Sequence, residues 1–258
     1  MGKVVAFWSD YNQTGKTTIT YMVLRKIEQL FGNKIKILTI DISQGSKSIV
    51  KLFEMQKHGL CMEDIINLKI NAEFSLNIED LVARTNNMYF LRRRSFFRNM
   101  PFGHSELLDD FVDELKNCFD IAIFDTAAGN GDSFTNSIAN KCDCLVNIFD
   151  GNSERISNIT SNDKSINVIN LNNPSADTNK QMDLLQRKYP SCYVLPYYKR
   201  LNNISDDVNI HYLIQYDSLF NKNVDSITRS ILELIDMNID KNSETINNKS
   251  LLMRLLAQ

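Results

Sequence analysis

Residues 3–18 read KVVAFWSDYNQTGKTT, and their reading decides the fold. Val4, Val5, Ala6, Phe7 and Trp8 form an unbroken apolar run, the pattern of a strand covered on both faces. A polar turn over residues 10–14 follows. Gly15, Lys16, Thr17 and Thr18 then open a segment in which Ile19, Met22, Val23 and Ile27 fall on one side of a helix. Strand, loop carrying G-K-T-T, and helix is the setting of a phosphate-binding loop. A helix N-terminus offers N–H groups without intrahelical partners and the positive end of its dipole, which suits a polyphosphate. In such a loop Lys16 reaches the β- and γ-phosphates and the Thr17 hydroxyl ligates Mg²⁺. The full pattern G-x-x-x-x-G-K-S/T asks for glycine at position 10, where this chain has Asp10. A G-K-T-T that merely caps an ordinary helix is therefore the competing reading.

The rest of the chain decides between them. Its 258 residues, 43% hydrophobic and 23% charged, suffice for one large α/β domain or two small ones. A net charge of −2 gives no global attraction to nucleic acid or membrane, so any such binding has to be local. The five cysteines show no metal-ligand spacing and read as reduced, mostly buried thiols. With no signal region and no run of 18 apolar residues, the expected location is the cytoplasm.

Downstream, the patterns predict a helix over 17–31 and a strand over 34–40 ending in Asp41. A polar loop over 43–47 precedes a helix over 48–56, and residues 60–86 carry helical periodicity in pieces. Further strands are predicted over 88–91, 120–124, 145–149, 168–170 and 192–195, with helices over 106–118, 178–188 and 224–237. Strands alternating with helices imply a doubly wound, mainly parallel sheet with helices on both faces. One domain over 1–238 is expected, followed over 239–258 by a polar, Asn-rich linker and a short amphipathic helix. Ligands of such sheets bind at the carboxyl ends of strands. There the chain places the G-K-T-T loop, Asp41 and Asp125, the last beginning Asp125-Thr-Ala-Ala-Gly129. An aspartate ending an apolar strand suits the Mg²⁺ shell, and the D-x-x-G form lets the Gly129 N–H meet a γ-phosphate.

Five stretches in order, KVVAFWSDYNQTGKTTITYMVLRKI, KIKILTIDISQGSKSI, FDIAIFDTAAGNGDS, INVINLNNP and YVLPYYKRL, resemble the ParA/MinD family of P-loop ATPases, which includes the pilus-localisation proteins TadZ and CpaE. The resemblance covers about residues 1–237 and implies a P-loop NTPase fold of the SIMIBI type. It also implies ATP and Mg²⁺ as cofactors, with a homodimer forming on nucleotide binding. By the same resemblance, residues 12–18 (Asn12, Gln13, Thr14, Gly15, Lys16, Thr17 and Thr18) and Gly129 line the phosphates. Asn170 and Pro196 lie at the adenine, Thr17, Asp41 and Asp125 hold the metal, and Lys16, Asp41 and Asp125 serve the chemistry.

Two departures matter. The family's deviant Walker A loop, K-G-G-x-G-K-T-T, has a signature lysine that reaches across the dimer. The equivalent position here is Tyr11, followed by Asn12 and Gln13 in place of two glycines. Tyrosine cannot neutralise phosphate charge. The second carboxylate of the family's D-x-D switch, associated with the attacking water, is replaced by Ser43. Nucleotide binding with slow or absent hydrolysis is therefore expected, in a nucleotide-dependent positioning or assembly switch of the TadZ/CpaE kind that works with a partner protein. A DNA-binding partition ATPase and a MinD-like membrane-associated regulator are the alternatives.

The basic–aromatic run over 92–98 has two readings, a solvated loop with Phe96 and Phe97 packed inward, or a partner or DNA surface. The tail over 249–258 gathers Leu251, Leu252, Met253, Leu255 and Leu256 on one broad face. It fits docking on the domain or a partner, or transient contact with a membrane or cell pole. His58, His104 and His211 lie near no nucleophile motif.

Overall fold

The alternation of apolar strand and amphipathic helix becomes one eight-stranded sheet in the computed structural model. It describes residues 1–43, 48–53, 60–71, 77–93, 105–129, 133–151, 163–171, 178–197 and 218–237. The strands are β1 (Lys3–Ser9), β2 (Ile37–Asp41), β3 (Ala83–Thr85), β4 (Met88–Arg92), β5 (Ile121–Ala128), β6 (Cys144–Asp150), β7 (Ser165–Asn170) and β8 (Cys192–Leu195). Their order is β3-β4-β2-β5-β1-β6-β7-β8, and every pairing is parallel except β3 with β4. This is the doubly wound sheet expected from the sequence. The G-K-T-T strand β1 sits inside it, between β5 and β6.

Side chains alternate across a strand, so each central strand feeds two cores. Val5 and Phe7 of β1 point into one, with α1 (Lys16–Phe31) and a helix over Ser218–Leu234. Val4 and Ala6 point into the other, with α3 (Met62–Asn71), α4 (Ile78–Leu81), α5 (Ser105–Cys118) and α6 (Ser133–Lys141). A short α2 (Ile49–Leu52) joins the first face. A smaller cluster under β7 and β8 includes Leu185 of α7 (Thr178–Lys188), and Ser218–Leu234 is α8.

Three elements differ from the sequence reading. Residues 83–85, expected to continue a helix, form the antiparallel edge strand β3. Asn86 turns it into β4 at φ 52, a left-handed conformation that asparagine tolerates. A three-residue strand is too short to show alternation. Helix α6 leaves little trace in the sequence, because its SFTNSIANK carries only Phe134 and Ile138 as large apolar residues, one turn apart. Helix α8 starts at Ser218 rather than at 224. Four of the cysteines are buried and all five are free thiols, and burial pushes the Cys142 thiol up to about 12.

Candidate functional site

The loop leaving β1 has to reverse direction and deliver a helix over the sheet. It does so with two left-handed residues, Gln13 at φ 63 and Gly15 at φ 86. Gly15 is the N-cap of α1, and no side chain caps the helix. The first turn carries no acidic residue, so the amino end of α1 keeps its positive character. Upstream, the Ser9 hydroxyl donates to the Tyr11 carbonyl at 3.0 Å, and Tyr11 is exposed. Gln13 stands where a glycine would take φ > 0 without a clash between Cβ and backbone. Gln13→Gly is therefore expected to stabilise the protein by about 0.5–1 kcal/mol, raising Tm by about 1–4 °C, which a thermal melt reads directly. No gain would mean that contacts of the Gln13 side chain offset the strain.

Lys16 turns inward from the start of α1. Its ammonium donates to the Thr126 carbonyl and lies 3.9 Å from Asp125 Oδ1. Both groups are buried, Asp125 completely. Burial lowers the Lys16 pKa more than the charges of Asp125 and Asp41 raise it. Burial likewise pushes the Asp125 carboxyl up to about 6, against the opposing pull of Lys16. The pair is thus under-compensated as it stands. The Thr17 hydroxyl donates to Asp125 Oδ2 at 2.7 Å, while Asp125 Oδ1 and the Thr14 hydroxyl are buried without a hydrogen bond. A hydroxyl, an unpartnered carboxylate oxygen and a helix N-terminus beside a buried ammonium fit a hard cation with a polyphosphate.

Asp41 and Asp125 are register partners on β2 and β5, so both carboxylates emerge at the same end of the sheet. Their commitments differ. Asp41 accepts from the Ser43 N–H at 3.1 Å, the Ser43 hydroxyl at 2.7 Å, the Ile49 N–H at 3.1 Å and the Ser48 hydroxyl. It thereby holds the start of α2, and both its oxygens are engaged. Gly129, at φ 78, donates its N–H to the Ser9 carbonyl at 2.9 Å. The Asn170 amide nitrogen donates to the Thr14 carbonyl at 2.8 Å. Asn170 pairs in register with Leu195, so the buried Pro196 that follows lies at the same end of the sheet. Asn12 and Gln13 are exposed in the turn, and Thr18 lies half-buried in the first turn of α1. The candidate residues thus converge on one end of the sheet from β1, β2, β5, β7 and β8. Two contributors escaped the sequence reading. Thr126 takes the Lys16 ammonium on its carbonyl and anchors β5 by donating its hydroxyl to the Phe7 carbonyl at 2.7 Å. Ser48 binds Asp41, and its place just before an apolar helix was the available signal.

Solved structures of the same architecture span nearly the whole chain. The ParA family ATPase from Chlorobium tepidum TLS superposes with a TM-score of 0.65 at 16% identity, over 88% of this chain and 99% of that one. The Aquifex aeolicus MinC:MinD cell division protein complex gives 0.66 at 13% identity, over 90% and 96%. A plasmid partition protein of Borrelia burgdorferi B31, bound to AMPPNP, gives 0.60 at 14% identity, over 84% and 99%. The chain has the ParA/MinD fold. In sequence it is 28% identical, over 153 residues, to a septum site-determining protein MinD of Emiliania huxleyi. That alignment takes in 57% of this chain and 52% of the relative, so the chain spans about half the length of the protein it matches. No family model matches.

Of the two departures read from the sequence, Tyr11 is exposed and Ser43 turns its hydroxyl to Asp41. Of the basic run over 92–98, the structure describes Arg92 and Arg93, and Arg93 is not solvated. Its side chain is buried, with Nε 3.9 Å from the Glu63 carboxylate and the guanidinium 5.9 Å from the Phe134 ring centroid. Residues 94–98, the tail over 249–258 and the three histidines lie outside the described residues. Among the described residues no helix is long and apolar enough to cross a membrane.

Proposed function

We propose that the chain is an ATP-binding, ParA/MinD-like switch that dimerises on nucleotide binding and positions or assembles a partner protein, in the manner of TadZ and CpaE, with weak or absent hydrolysis. The observation that carries this reading is the joining of Lys16, Thr17 and Asp125 at the amino end of α1, with Tyr11 and Ser43 at the two positions where charge or basicity would speed hydrolysis. Lys16 would exchange the Thr126 carbonyl for phosphate oxygens, which match its charge better than a neutral dipole does. Thr17 and Asp125, with Asp41 beside them, would hold Mg²⁺, which when bound neutralises charge on the phosphates. Asn170 and Pro196 would meet the adenine. Ser43 donates its hydroxyl to Asp41, and a neutral hydroxyl, unlike a carboxylate, is too weakly basic to take a proton from water. The exposed Tyr11 would face a second copy without supplying a positive charge. The place of action in this reading is the cytoplasm, with the membrane or a cell pole as the site of assembly.

Calorimetric titration with Mg-ATP, with dimerisation followed by light scattering, tests the reading. Wild type is expected to bind and dimerise with negligible turnover, and Lys16→Ala to bind at least about tenfold more weakly. Robust turnover would return the chain to the cycling ATPases, and a wild type that binds no nucleotide would end the reading altogether. The MinD relative favours a second reading, a membrane-associated regulator. Unchanged liposome partitioning after deletion of residues 249–258 would remove the tail from that role. DNA binding draws no support from Arg93, whose charge is spent inside the protein.

A further inference from the structure

Asn170 sits at the end of β7, yet its side chain acts on the loop that follows β1. Its amide nitrogen donates to the Thr14 carbonyl at 2.8 Å, a contact that spans 156 residues of sequence. A carbonyl can only accept, so chemistry sets the orientation of the amide, with nitrogen toward the loop. The loop lies so close that a Cβ on Gly15 would stand 2.4 Å from that nitrogen. Thr14 gains nothing from its own hydroxyl, which is buried without a hydrogen bond. The Thr14–Gly15 peptide, immediately before the amino end of α1, is therefore fastened by a side chain from β7, two strands away in the sheet.

We infer that Asn170 is a positioning residue for the phosphate loop, in addition to any contact it makes with a base. The inference rests on the nucleotide reading above and assigns the two ends of one amide to different work. The nitrogen holds the loop in the conformation that points the α1 N–H groups outward, and the oxygen is left as an acceptor for an amino group on the base. A residue that served the base alone would have no effect on a ligand that lacks one.

Inorganic tripolyphosphate with Mg²⁺ is such a ligand, and its binding, beside that of Mg-ATP, tests the link in wild type, Asn170→Ala and Asn170→Leu. Asn170→Leu keeps the volume, removes the donor and adds no charge, so it serves where the alanine variant fails to fold. Both variants are expected to bind tripolyphosphate about three- to tenfold more weakly than wild type, the scale of one lost hydrogen bond, at temperatures where both stay folded, with unliganded melting temperatures lowered by no more than about 2–4 °C. Unchanged tripolyphosphate binding with weakened ATP binding would assign Asn170 to the base alone and overturn the inference while leaving the nucleotide reading intact. A loss of affinity that merely follows a fall in melting temperature would also overturn it. Wild type binding neither ligand would overturn the nucleotide reading, and the inference with it.

Discussion

At pH 7, Asp125→Asn is expected to stabilise the ligand-free protein by no more than about 1 kcal/mol, the burial cost of the carboxylate less the loss of its attraction to Lys16, and to weaken Mg-ATP binding at least about tenfold. The carboxyl is completely buried, and burial outweighs the attraction of Lys16, leaving its pKa near 6 against an ordinary 3.8. A folded-state pKa above the unfolded value means that the native chain holds its proton over a range in which the unfolded chain has released it. This contribution therefore falls as pH rises from about 4 to about 6, then stays constant. The full gap corresponds to about 3 kcal/mol. Asparagine keeps the shape and an acceptor for the Thr17 hydroxyl, but Lys16 loses its carboxylate, and the net gain is smaller. Urea denaturation of both proteins from pH 4 to pH 7.5 checks this. The stability difference between variant and wild type should grow up to about pH 6 and then level. A variant less stable than wild type at pH 7 would mean that the Lys16–Asp125 attraction exceeds the cost of burial.

The second large effect is expected at Gly15. Alanine there meets two obstacles, φ +86 and an amide nitrogen 2.4 Å from the new Cβ. The left-handed conformation costs about 1–2 kcal/mol, and displacing Asn170 from Thr14 costs about 1 kcal/mol more. Gly15→Ala should thus lower stability by about 2–3 kcal/mol and Tm by roughly 4–12 °C. ATP affinity should fall at least about tenfold, because the N–H groups at the start of α1 would no longer be held in place. Gly32 is the control. It has φ +56 at the end of α1, but its added Cβ would meet nothing within 4 Å. With ψ −134 it lies outside the left-handed helical well, so Gly32→Ala should cost about 1–3 kcal/mol in stability yet leave ATP binding unchanged. A Gly15→Ala variant that loses stability but keeps wild-type ATP affinity, as Gly32→Ala should, would show that Gly15 matters only for its backbone conformation and not for its contact with Asn170.

Most of what a local pattern can encode was legible. The apolar run 4–8, the G-K-T-T opening of α1 and the strand-ending Asp41 and Asp125 announced a parallel sheet with phosphate chemistry at one end. Where no pattern exists, reading failed. β3 is too short to alternate, and α6 offers two apolar residues in nine. Arg93 looked like part of a solvated basic run because nothing in residues 92–98 refers to Glu63 or Phe134, which arrive from α3 and α6.

The sequence by itself determined the order of the elements, the two-faced burial of the central strands and the residue types at the strand ends. These follow from side-chain periodicity and backbone chemistry, which act over a few residues. Only the tertiary structure decided that β1 lies between β5 and β6, and that Asp41 is occupied with α2 while one oxygen of Asp125 is left without a hydrogen bond. It alone brought Asn170 onto the Thr14 carbonyl. Such contacts join groups far apart in the chain, and they depend on which strands become neighbours and how far each burial is compensated, terms that no local window contains.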